Sequence, residues 1–117
     1  MKAKPYRVEK DDESGTRWVE CDPAVATYVL LQMPGPFPNR MLPVILKGSR
    51  DAHGHPVWSW NGDTERPTLR PSVRTSDGEL GNVCHSWIND GKIQFLDDCT
   101  HEFRGQTLDL LEVDYVP

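Results

Sequence analysis

Val83-Cys84-His85-Ser86-Trp87-Ile88-Asn89-Asp90-Gly91-Lys92-Ile93-Gln94-Phe95-Leu96-Asp97 is the stretch whose reading decides the fold. Two runs of strand formers, Val83–Ile88 and Lys92–Asp97, flank Asn89-Asp90-Gly91, and such a pattern predicts an antiparallel hairpin. A three-residue loop ending in Gly91, with the glycine left-handed, opposes Trp87 to Ile93, His85 to Phe95 and Val83 to Asp97. The side-chain period of two then gathers these six residues on one face. A two-residue loop at Asp90-Gly91 instead places Ile88 and Phe95 on the face that carries Cys84, because one step of slip reverses every assignment. The first register is preferred here, since it collects more large apolar side chains.

Working outward, the chain is cut into short pieces. Ten Pro and nine Gly are spread over 117 residues, which suits many turns and short strands better than a helical bundle. Strands are expected at Arg17–Glu20, Tyr28–Met33, Met41–Lys47, Val57–Asn61, Pro71–Thr75 and Thr107–Val113. Pro43 demotes its strand to an edge or a bulge, and Pro34, Pro36 and Pro38 stop the run before it. His101–Gly105 reads as one helical turn or an open loop. Residues 1–16 are polar and end in Lys-Asp-Asp-Glu-Ser-Gly, so they read as a flexible N-terminal segment ahead of one β-rich domain over 17–117. The expected fold is mainly β, a small antiparallel single domain with little helix, and Trp58, Trp60, Trp87, Ile93 and Phe95 are its expected core.

Composition narrows the function classes. The net charge of −5, without a basic run or an aromatic–basic stripe, argues against nucleic acid as a partner. No apolar run approaches the ~18 residues a membrane span needs. The first fifteen residues lack the apolar stretch of an export signal. A cytoplasmic location, with Cys21, Cys84 and Cys99 as reduced thiols, follows as the expectation. A phosphate loop, a dinucleotide fingerprint, HExxH and GxSxG are all missing, so nucleotide-driven chemistry is not indicated.

Four groups of residues could carry chemistry. Cys84-His85 with Asp97, Asp98, Cys99 and His101 offers thiolate, imidazole and carboxylate, the ligand types of zinc. In a regular strand Cys84 and His85 point to opposite faces, so only one serves a given ion unless a bulge lies there. Asp97, Cys99 and His101 share parity and would converge with His85 if the chain stays extended. The plain alternative is that both cysteines pack as small hydrophobes and His85 is hydrogen-bonded in the core. The same residues could form a nucleophilic dyad, Cys99 with His85 or His101 as base and Asp97 or Asp98 orienting it, although no local signature surrounds Cys99. Trp58-Ser59-Trp60-Asn61-Gly62, followed by Pro67-Thr68 and Pro71-Ser72, reads as a core strand closed by a turn and a Pro-fixed loop, or as a paved binding groove. His53 and His55 could chelate a metal from a loop or simply be solvated.

Trp58–Val73 (WSWNGDTERPTLRPSV) and Cys84–Leu110 (CHSWINDGKIQFLDDCTHEFRGQTLDL) together resemble the signature blocks of a small protein family of phages, prophages and bacteria. Its members often carry the label "ammonia monooxygenase", which does not suit a chain too small for a membrane-bound copper oxygenase. The resemblance covers roughly the C-terminal half and implies no activity. It implies a small zinc-binding domain with a Cys-rich element near the N-terminus. Cys21 falls where that element would begin, but Asp22-Pro23-Ala24-Val25 follows it and no CxxC partner is present. The matched positions Cys84, His85, Cys99 and His101 then become the implied metal residues. On this reading His85, Cys99, His101 and Cys21 are the expected ligands, with Cys84 as the rival to His85. The phage association makes a small, zinc-stabilised module that binds a host protein, in the host cytoplasm, the leading expectation. A zinc-dependent hydrolase built on His85, Cys99 and His101, with Asp97 or Asp98 as base, is the alternative, and a structural or virion protein is the third.

Overall fold

A computed structural model describes residues 1–13, 15–46 and 57–117. His53 and His55 lie outside the described residues. Among the described residues ten strands carry the fold: β1 (Ala3–Asp11), β2 (Gly15–Glu20), β3 (Tyr28–Gln32), β4 (Asn39–Leu46), β5 (Trp58–Trp60), β6 (Leu69–Arg70), β7 (Val73–Asp77), β8 (Asn82–Asn89), β9 (Lys92–Phe95) and β10 (Thr107–Asp109). The only helix among the described residues is a 3-10 turn at Pro23–Val25, capped by the Asp22 side chain. The mainly β, largely antiparallel fold expected from the sequence is the fold observed.

The strands form two sheets. One has the order β2-β1-β3-β4-β5-β6 and the other the order β10-β9-β8-β7. Every pairing is antiparallel except β4 with β5. Ala3, Val29, Leu31, Leu42, Val44, Trp60 and Leu69 of the first sheet share one core with Val73, Cys84, Ile88, Ile93 and Phe95 of the second. Among the described residues no helix is long and apolar enough to cross a membrane.

Three expectations are corrected. The first is the flexible segment at 1–16: Ala3–Asp11 form β1, paired on both sides by β2 and β3. Its polar residues misled the reading, because Ala3, Pro5 and Tyr6 are buried between charged neighbours. Second, Pro43 does not make β4 an edge strand. It pairs with Tyr28 on β3, while β5 begins opposite Val44. The missing N–H therefore sits where β4 still has only one neighbour.

The third concerns the hairpin register. The observed pairs are Ser86 with Phe95, Trp87 with Gln94, Ile88 with Ile93 and Asn89 with Lys92. The loop is thus the two-residue Asp90-Gly91, and both residues have positive φ, 51° and 76°. Such a turn matches the right-handed twist of the strands it joins, whereas a longer loop must absorb that twist elsewhere. Cys84, Ser86, Ile88, Ile93 and Phe95 consequently face the core, while His85 and Trp87 lie on the outer face, partly covered. Trp60, Ile93 and Phe95 are buried as expected, but Trp58 and Trp87 are only half-buried.

Two stability measurements check this register. Phe95→Ala empties a fully buried site and should cost about 3–5 kcal/mol, whereas Trp87→Ala, on the outer face, should cost clearly less despite removing a larger ring. Gly91→Ala should cost about 1–2 kcal/mol or more, because φ is positive and a Cβ there would meet the Glu65 carbonyl oxygen at 3.1 Å and Arg66 Cα at 3.2 Å. Urea midpoints of the three variants read these differences.

Candidate active site

The register decides where His85 points. Alternation along β8 buries Cys84 and Ser86 and turns the His85 ring outward. Its Nδ1 lies 2.8 Å from Asp98 Oδ2 and its Nε2 lies 2.9 Å from Ser72 Oγ. A carboxylate only accepts, so Nδ1 carries the proton and donates it to Asp98. In the neutral ring Nε2 is then the acceptor, and the Ser72 hydroxyl donates to it. Hydroxyl, imidazole and carboxylate stand in the relay order of a Ser-His-Asp triad, with both contacts within hydrogen-bond reach.

Each member is held by its own segment. Ser72 follows the cis Arg70–Pro71 peptide and precedes β7; its carbonyl oxygen accepts the indole N–H of Trp58 at 3.2 Å. His85 is fixed through its backbone by a buried thiol: its N–H donates to Cys99 Sγ at 3.2 Å, and the Cys99 S–H donates to its carbonyl oxygen at 3.0 Å. Asp98 lies in a turn. Leu96 N–H still bonds His85 O, but Thr100 N–H reaches Val83 O, and Cys99 N–H bonds Leu96 O. This turn breaks the extended parity expected for Asp97, Cys99 and His101, and it swings Asp98 out to the His85 ring. The Asp98 side chain remains 54% exposed, against 23% for His85, so water screens the pair.

The sequence-derived site residues therefore separate. His85 and Asp98 join Ser72, while Cys84, Cys99 and His101 form a second group on the inner side whose ligand atoms lie within 4.8 Å of one another. Cys84, the rival, takes the place proposed for His85 in the donor group. Neither Cys21, near the end of β2, nor Asp97 is in it. The dyad of Cys99 with His85 as base is not assembled, because the Cys99 thiol contacts the backbone of His85 and Ser72 occupies the ring nitrogen; His101, the other base expected, lies in the inner group with Cys99. Ser72 was missed as a functional residue: it sits in no recognised nucleophile motif, and Pro71-Ser72 reads as ordinary loop.

The inner group could hold a metal ion. Two buried thiols and an imidazole suit such an ion, and His101 Nε2 is buried without a hydrogen-bond partner among the described residues. One contact opposes ligation through Nε2: Phe103 N–H donates to His101 Nδ1 at 3.3 Å, which leaves the ring proton on Nε2 when the ring is neutral. At that length it is weak enough to yield. Burial, with the Cys99 thiol alongside, pushes the Cys84 thiol up to about 11. Burial also holds His101 below the ordinary histidine range.

The model of the family described as "Bacterial ubiquitination-like system serine protease (BubE)" matches residues 41–96, just under half of the chain. Ser72 and His85 fall inside the matched segment and Asp98 two residues beyond it. No curated protein and no solved structure matches the chain.

The Cys84 shift has a measurable consequence for the metal-free protein. Its folded value lies above that of an unfolded thiol, about 8.5, so both states hold the proton at neutral pH and stability is unaffected there. As pH rises from about 8.5 to about 11, the unfolded state releases its proton first and stability falls. Cys84→Ala should remove that component of the alkaline loss, as read by urea midpoints between pH 7 and 11.

Proposed function

We propose that the protein is a serine hydrolase that cleaves an amide bond in a protein substrate, with Ser72 as nucleophile, His85 as general base and acid, and Asp98 orienting the imidazole. The observation that carries this reading is the pair of hydrogen bonds at His85, 2.9 Å to Ser72 Oγ and 2.8 Å to Asp98 Oδ2. The matched family's name, serine protease of a bacterial ubiquitination-like system, supports the same chemistry and a protein as the substrate. The host-protein partner expected from the phage resemblance then becomes the cleaved protein.

In this mechanism Ser72 Oγ attacks the carbonyl carbon as His85 Nε2 takes the hydroxyl proton. The imidazolium is stabilised by Asp98, which stays ionised. Collapse of the tetrahedral intermediate breaks the C–N bond, and the proton passes from Nε2 to the departing amine. Water, deprotonated by the same nitrogen, then hydrolyses the Ser72 ester and restores the hydroxyl. The Cys99 contacts to the His85 backbone make Cys99 a positioning residue.

A fluorophosphonate probe, which captures an activated serine, should modify the protein at Ser72, as read by peptide mass mapping. Ser72→Ala should abolish this labelling, and His85→Ala should slow it by roughly 10³-fold or more. Asp98→Asn should slow it less than His85→Ala, because the carboxylate is solvent-screened. An unlabelled Ser72 in the folded wild-type protein would overturn the reading.

A second reading, compatible with the first, rests on His101 Nε2, buried without a hydrogen-bond partner among the described residues, on a ring grouped with two buried thiols. Cys84, Cys99 and His101 would hold a zinc ion that stabilises the fold, as the donor chemistry favours. Protein purified without an affinity tag should then contain about one equivalent of zinc, and a chelator should lower its melting temperature. Less than about a tenth of an equivalent, with chelator-independent melting, would show that the three residues only pack.

A further inference from the structure

The ground beside Ser72 is basic in an acidic protein. The chain carries 18 acidic and 13 basic residues, yet the nucleophile lies between Arg70 and Arg74 in sequence. Arg74 is exposed and pairs with His85 across the β7–β8 ladder, so both side chains leave the same, outer face. Arg70 reaches that face by another route. Its guanidinium lies 5.3 Å from the centre of the Trp87 ring, and Trp87, two residues beyond His85, is also outward. Trp87 pairs with Gln94 on β9. Arg70, Trp87, Asn89 and Gln94 line an open depression of about 360 Å³.

Arg70 is held rigidly there. Its Nη1 donates to Leu69 O at 2.7 Å and to Ile88 O at 3.3 Å, and its Nη2 donates to Asn89 Oδ1 at 2.8 Å. All three acceptors are neutral. Among the described residues no carboxylate lies within ion-pair distance of Arg70 or Arg74, although Lys4, Arg7, Arg17 and Lys92 each have one. Nε and one Nη2 hydrogen of Arg70 are thus left over among the described residues as donors for a carboxylate. Alternate residues on one strand face stand about 6.6 Å apart, and an extended peptide advances about 3.3 Å per residue. The depression beside Trp87 is therefore within about two residues of a scissile bond placed at Ser72.

We propose that Arg70 and Arg74, which stand on either side of Ser72 along this face, each recognise a carboxylate, so that the preferred substrate carries a carboxylate within about two residues of the cleaved bond. The inference rests on the serine-hydrolase reading. A glutamate or aspartate side chain and a free chain terminus present the same chemistry to an arginine fork, and the test separates them.

The full-length protein is labelled with a fluorophosphonate probe in the presence of randomised peptide pools. One pair of pools differs by fixed Glu against fixed Gln, and a second pair by a free against an amidated C-terminus. Competition with labelling reports occupancy of the site whether or not a peptide is cleaved. A carboxylate pool should compete about 5- to 10-fold better than its amide counterpart, as a partly exposed charge-assisted contact allows, and the ratio should shrink at high salt. Preference in the first pair identifies a side chain, and preference in the second identifies a chain terminus. Arg70→Gln and Arg74→Gln should each lower the ratio, and the double variant should bring it close to one. Arg70 also ties Leu69 to Ile88, so Arg74→Gln keeps the test valid if Arg70→Gln does not fold. Equal competition by carboxylate and amide pools, with Ser72 still labelled, overturns the subsite and leaves the triad standing. A preference that survives loss of the arginines likewise overturns the assignment. Absence of labelling without any peptide removes both readings.

Discussion

The Asp90-Gly91 turn is the constraint on which the site depends. With two residues in the loop, Ile88 meets Ile93 and Ser86 meets Phe95, and the parity of every residue along β8 follows. A loop longer by one residue would drive His85 into the core against Phe95 and push Cys84 out to solvent. The turn is enforced from both sides. Two adjacent positive φ values suit Asp-Gly, and the rest of the fold packs onto the glycine so closely that a side chain would strike the 65–66 backbone. Gly91 also donates to Pro67 O and accepts from Leu110 N–H, so one small residue ties the hairpin to the loop before β6 and to the end of β10.

Once His85 faces outward, the segment that follows β9 completes the site. A continued strand would have run past β8 and carried Asp98 away from the ring. Instead the turn at residues 96–99 displaces the pairing, and Thr100 rejoins β8 through Val83, both by its N–H and by accepting the Val83 N–H at its hydroxyl. Two adjacent residues then serve opposite sides of β8. Asp98 bonds the imidazole from outside, and Cys99 bonds the same residue's backbone from inside. Buried thiols rarely need a function beyond packing, but this one satisfies a backbone donor and a backbone acceptor at the histidine on which the proposed chemistry turns.

The fold class was legible because it follows from turn chemistry and short apolar runs, which are local. The hairpin was found but its register was not. Counting apolar side chains favoured the face with Trp87, yet Ser86 is buried and Trp87 lies under a guanidinium. Polarity alone does not report that an arginine will cover a tryptophan. The strand at Ala3–Asp11 was hidden for a related reason: Lys2, Lys4, Arg7, Glu9 and Lys10 are polar, and only tertiary pairing shows that Ala3, Pro5 and Tyr6 between them are buried. For the site, His85, Asp98, Cys99 and His101 were recognisable as reactive types. Ser72 was not, because serine is common in loops and its role depends on β7 lying beside β8, a pairing between segments that no single-chain spacing encodes.

The alternation of β8 also couples the two groups of reactive residues. Cys84 on the inner face and His85 on the outer face are neighbours in the chain, and Cys99 contacts both, as a thiol beside Cys84 and as a donor to His85 O. A thiol can donate that bond, whereas a thiolate bound to a metal cannot, although it can still accept the His85 N–H. An ion at Cys84, Cys99 and His101 would therefore exchange one of the two Cys99 contacts to the His85 backbone for a rigid inner cluster. It would also break the Phe103 N–H contact to His101 if the ring ligates through Nε2. The inner layer is thus not indifferent to the outer one. Whatever state the thiols adopt is felt at the histidine through a single shared residue, and Cys99 should matter more to the outer site than Cys84, which has no bond to the His85 backbone among the described residues.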